Sequence, residues 1–148
     1  MDKSKQLRKK YNQMTNKLSF KQSLMAGLWA AITASVINAI LFFIYHAVGV
    51  ITDTILVQPG KPLSVITVIV TTIIPTLIAS IVFFLFEKYT QKGFKIFTII
   101  SIALLILSFL NPFMGIPGVP VAYALALCTM HVVVAASLLY FIKKSIRN

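Results

Sequence analysis

Two histidines, one cysteine and three acidic residues are the whole stock from which this 148-residue chain could build a catalytic or metal-binding centre. His131 stands in a run of apolar residues. A neutral imidazole offers one donor and one acceptor, so it could serve as a base, a proton carrier or a ligand contact. No acid accompanies it in that run, so a carbonyl or the Asn38 amide would have to orient the ring. Asn38 lies in a second apolar run, Thr71, Thr72 and Thr76 surround Pro75 in a third, and Ser101 and Ser108 are seven apart on one face of a fourth. Such a group could hold a weakly polar ligand, pass ions or protons, or act as interhelical glue. Metal chemistry is not expected. His46, Asp53 and Gln58 could meet, but two strong ligands do not make a zinc site. His46 and His131 differ in depth by roughly 15 Å at the helical rise, too far for one haem. The single Cys128 excludes a disulfide framework, and no cofactor is expected.

The elements that carry these residues are set by the distribution of charge. A soluble domain is about 25% charged; this chain is 11% charged, and residues 22–52, 62–86 and 96–142 contain no Lys, Arg, Asp or Glu. Each stretch exceeds the ~20 residues that cross a hydrocarbon core. A cytoplasmic globular enzyme and a disordered chain are both excluded. The third stretch is long enough for two spans and is broken at Asn111–Pro120, where three prolines and two glycines predict a turn. The expected fold is an all-α, four-helix transmembrane bundle with spans near residues 24–49, 64–86, 94–110 and 121–142, behind a basic segment at 1–21.

Thirteen of the 14 Lys and Arg residues fall on one side of such a bundle, leaving Lys61 alone on the other. The positive-inside rule then predicts that both termini are cytoplasmic. The long apolar run of the first span reads as an uncleaved anchor rather than a signal peptide. In the basic segment, Leu7, Tyr11, Met14 and Leu18 form one helical stripe. Lys9, Lys10, Lys17 and Lys21 are expected at the surface of an anionic leaflet, where each basic side chain contributes on the order of 1 kcal/mol. No nucleic-acid partner is expected, because no recognised fold or stacking platform accompanies the charge. Ser19 followed by Gln22 matches a capping box, so the first span should start near residue 20.

Two spans carry stripes of small residues. Gly27, Ala31, Ala34 and Asn38 recur at helical spacing in the first, and Ala124, Cys128, His131 and Ala135 repeat it in the fourth. Small residues let helices approach closely in lipid, so these two spans are expected to be neighbours. At ~1.5 Å per residue, Asn38 lies around 20 Å from Leu24 and His131 around 15 Å from Val121, both near mid-depth with Pro75. A direct or water-bridged hydrogen bond between His131 and Asn38 is the resulting expectation. Pro75 cannot bond back to the Thr71 carbonyl, which should leave backbone oxygen exposed beside Thr71, Thr72 and Thr76.

The chain lacks the intramembrane acid of small multidrug exporters and the paired cysteines of vitamin K epoxide reductase-type oxidases. It also lacks the helix-borne Arg and Glu of glutathione-using microsomal enzymes. Asn38, Pro75, Ser108 followed by Pro112, and Ala126-Leu127-Cys128-Thr129-Met130-His131 resemble a family of small four-helix bacterial membrane proteins catalogued as a domain of unknown function. The resemblance implies four spans in a bacterial plasma membrane, with no reaction attached. The first functional expectation is a non-enzymatic structural or accessory membrane protein, with a homo-oligomer or another membrane protein as partner. The alternative is a small transporter, channel or binder of an apolar or weakly polar ligand around His131 and Asn38. A membrane enzyme acting on lipid or quinone is third.

Overall fold

The computed structural model describes residues 4, 6 and 18–147. Leu7, Tyr11 and Met14 of the expected stripe, with Lys9, Lys10 and Lys17, lie outside the described residues. Helix α1 (Phe20–Ala47) starts where the cap predicts: Ser19 Oγ accepts from the Gln22 amide at 3.2 Å, and Gln22 Oε1 accepts from the Ser19 amide at 2.9 Å. A short antiparallel hairpin follows, β1 (Leu56–Gln58) and β2 (Lys61–Pro62). Ser64 then caps α2 (Val65–Tyr89), accepting from the Thr67 amide at 3.2 Å. Helices α3 (Gly93–Ser108), α4 (Leu110–Gly115) and α5 (Val121–Arg147) complete the chain. Four helical segments, with α3 and α4 counted as one, are long and apolar enough to cross a membrane.

Two boundaries differ from the sequence expectation for physical reasons. The predicted turn at Asn111 is helical as far as Gly115, so the third span runs over Gly93–Gly115. Its break falls at Phe109, which donates to Ile106 rather than one turn further back. Pro112 thereby lands in the first turn of α4, where a missing N–H leaves nothing unpaired. The chain reverses over Ile116–Pro120, with Gly118 at φ 69°. The helices also continue past their apolar runs, through Lys21, Glu87, Lys88, Lys143 and Lys144. Long side chains of these types favour helix, and lysine stems can carry their charge out to a membrane interface.

The helices alternate in direction around a four-cornered ring. Helix α1 packs on α2 and α5, and α3 packs on the same two helices from the opposite corner. The basic ends of the spans therefore lie together, and the β-hairpin marks the other end. At the basic end a buried cluster joins Leu18, Ala30, Phe83, Phe97, Leu138 and Ile142. At the hairpin end Phe42, Ile51, Leu63, Tyr123 and Met130 form a second. Between the two clusters, at mid-depth, the packing is incomplete.

Candidate binding site at mid-depth

The gap is a cavity of about 420 Å³ walled by α2, α3 and α5 and closed at the back by Asn38 of α1. Every residue of the predicted mid-depth polar group lies on it. Thr71, Thr72, Pro75 and Thr76 come from α2, Ser101 and Ser108 from α3, and His131 from α5. The rest of the wall is apolar, including Leu104, Leu127, Val134, Ala135 and Leu138. Thr71, Pro75 and Leu104 are exposed as well as cavity-lining, so the cavity opens sideways between α2 and α3 toward the hydrocarbon.

The direct hydrogen bonds of Asn38 and His131 go to other partners. Asn38 Nδ2 donates to Thr72 Oγ1 at 3.2 Å and to the Met130 carbonyl at 3.3 Å. His131 Nδ1 lies 2.7 Å from the Leu127 carbonyl of its own helix. Asn38 and His131 thus share a cavity but not a direct hydrogen bond. The imidazole takes a carbonyl one turn back, which its own helix supplies at fixed distance, whereas Asn38 bridges two neighbouring helices. Asn38 is 1% exposed, and its Oδ1 has no donor.

The small-residue stripes divide differently from the expectation as well. Helix α1 does neighbour α5, and Ala31, Ala34, Ala124 and Cys128 are buried. Gly27, however, faces α2: a Cβ built there would collide with the Cβ and Oγ of Ser80. Beside it, Ser23 Oγ donates to the Ser80 carbonyl at 2.6 Å. The matching ridge on α2 is Thr72, Thr76 and Ser80, spaced by four and all buried. That spacing is present in the sequence but reads there only as part of a polar group. Ala135 lines the cavity instead of an interface.

At the basic end a second hollow, of about 550 Å³, lies between α1 and α5; Lys21 and Lys144 stand on it with Met25, Trp29 and Phe141. At the other end, exposed His46 stacks on Phe42 with centroids 5.8 Å apart. Among the described residues no group of three His, Cys, Asp or Glu could hold a metal ion.

Four antiparallel apolar helices around a laterally open, partly polar cavity define a multi-pass helical membrane protein. Residues 19–148 match the model of a family described as "Family of unknown function (DUF6069)", and the chain belongs to that family. No curated protein and no solved structure matches it.

Proposed function

We propose that the protein is a non-enzymatic membrane component that binds a small, largely apolar molecule in its mid-depth cavity. The observation that carries this reading is the cavity itself. A bundle built only for support would close its centre, because every unfilled volume forfeits packing contacts, the principal attraction between helices in lipid. Here two well-packed clusters flank about 420 Å³ that stays open, within the size range of small-molecule sites. The side opening suits a ligand that arrives dissolved in the bilayer rather than from water.

The same proposal sets the protein in a bacterial plasma membrane with both termini in the cytoplasm. The clustering of Lys21, Lys88, Lys92, Lys95, Lys143, Lys144 and Arg147 on one side supports that orientation. The hollow beside Lys21 and Lys144 then faces the inner leaflet, where anionic lipid is the natural partner for its two cations and apolar floor.

Photolabelling tests the binding. An octyl diazirine added to the protein in nanodiscs is expected to modify Leu127 and Val134, which face the cavity. Ala135→Phe should suppress that labelling by filling the space, while labelling of lipid-facing Ile100 and Ile102 stays unchanged. Equal labelling at all four positions in both proteins would overturn the proposal.

A further inference from the structure

Most of the polar atoms around the cavity are of one kind. Thr71 Oγ1 donates to the Thr67 carbonyl at 2.7 Å, Thr76 Oγ1 to the Thr72 carbonyl at 2.6 Å, and Ser108 Oγ to the Leu105 carbonyl at 2.7 Å. Each hydroxyl has committed its only hydrogen to its own helix, so what remains is oxygen lone pairs. Pro75 has no N–H, so the Thr71 carbonyl lacks the donor that a helix normally supplies four residues on. The carbonyl of Leu127 can only accept, which places the imidazole hydrogen of neutral His131 on Nδ1. Nε2, at the far side of the ring from that backbone bond, is then a bare acceptor. The Met130 carbonyl fixes the Asn38 amide in the same way, with Nδ2 toward the backbone and Oδ1 unpartnered but itself buried. Among the described cavity residues, Ser101 and Thr72, whose Oγ1 accepts from Asn38, are the two whose hydroxyl hydrogens no such bond consumes.

An acceptor-rich wall selects its occupant. We infer that the cavity takes an apolar molecule carrying a hydroxyl group, an aliphatic or phenolic alcohol, and discriminates against the same skeleton bearing only acceptors such as an ether or ketone. A permanent cation would satisfy the same lone pairs but is disfavoured by the site's charge. Among the described residues the carboxylates are those of Asp53, in the hairpin-end loop, and Glu87, at the basic end of α2, and neither lines the cavity. A charge in an apolar wall without a counter-charge is costly. The inference rests on the cavity being a binding site, and it adds which end of a hydrogen bond the ligand must supply.

Competition in the photolabelling assay separates the two claims. Octylphenol and octylanisole have nearly the same shape, but only the phenol can donate. Octylphenol is expected to displace the label from Leu127 and Val134 at a concentration at least about tenfold below that of octylanisole, as one hydrogen bond to an otherwise unpaired acceptor predicts. His131→Phe removes the Nε2 acceptor at similar volume, and the Leu127 carbonyl keeps its helix bond, so this variant should fold. In it the preference should shrink severalfold, while Ser101→Ala should retain it. Equal competition by both compounds would overturn the donor inference and leave the binding site standing. Stronger competition by octylanisole, or an undiminished preference in His131→Phe, would also overturn it. No competition by either compound, with labelling insensitive to Ala135→Phe, would remove the binding site itself.

Discussion

The two sides of α2 use the same residue types for opposite ends. Toward α1, Thr72, Thr76 and Ser80 meet Ser23, Gly27 and Asn38 so closely that Gly27 has no room for a methyl group. Toward α3, Thr71, Pro75 and Ala79 face open space. Helix α3 buries only Gly93 and Phe97, both near its start. An edge-to-face pair with centroids 5.2 Å apart, Phe83 on Phe97, pins that end, and Pro112 is buried at the other. Between these pins the middle of α3 is a wall that little else holds. Small polar residues therefore close an interface only when the partner helix offers small residues in register. Where it offers Ser101, Leu104 and Leu105, the helices stay apart.

The strongest way to break the comparison is Gly27→Leu. Its side chain must displace Ser80 and the adjoining backbone, so α1 and α2 separate, at an expected cost above about 3 kcal/mol. Reversible unfolding in mixed micelles measures it. Pairing Gly27→Ala with Ser80→Gly should recover much of the loss of Gly27→Ala alone, which places the clash between those two positions. A Gly27→Leu protein as stable as the parent would mean that the interface has slack.

Phe97→Ala comes next. It empties a buried ring site, expected to cost roughly 3 kcal/mol in global stability. Its local signature is faster amide exchange along α3 than along α1 or α2, because α3 has few other anchors. Uniform acceleration over all four spans would contradict the picture of a pinned, otherwise loose wall.

The spans could be read from the charge-free stretches because lipid tolerates almost no ionised side chain, and that constraint is local to the sequence. The start of α1 was legible for a similar reason, since Ser19 and Gln22 cap each other within a single turn. Depth arithmetic also sufficed to gather Asn38, Pro75 and His131 at one level, because rise per residue is nearly constant. The partner of each polar atom was not legible. Whether Asn38 bonds His131 or the Met130 carbonyl depends on helix rotation by a fraction of a turn, which no spacing rule resolves. Gly27 paired with Ser80 rather than with α5 for the same reason. Pro112 misled because three prolines suggest irregular chain, whereas one at the first turn of a new helix is compatible with it.

Asn38→Leu is expected to be mild. Two interhelical hydrogen bonds at ~0.6 kcal/mol each are lost, but the unpaired Oδ1 goes with them, so the net change should stay below about 1 kcal/mol. A loss several times larger in the same unfolding assay would show that Asn38 organises the bundle rather than furnishing the cavity. Smallest of all is Ser101→Ala, which should leave stability unchanged within about 0.5 kcal/mol, since its hydroxyl has no partner among the described residues.

The most direct test of the open side of α2 is a crystal structure from lipidic phase under xenon pressure. Xenon occupies apolar voids, and its anomalous signal is expected beside Pro75 and His131, between α2, α3 and α5, with none at the Gly27–Ser80 contact. A structure in which Ser101 and Leu105 pack directly on Pro75, with no xenon between them, would contradict the account.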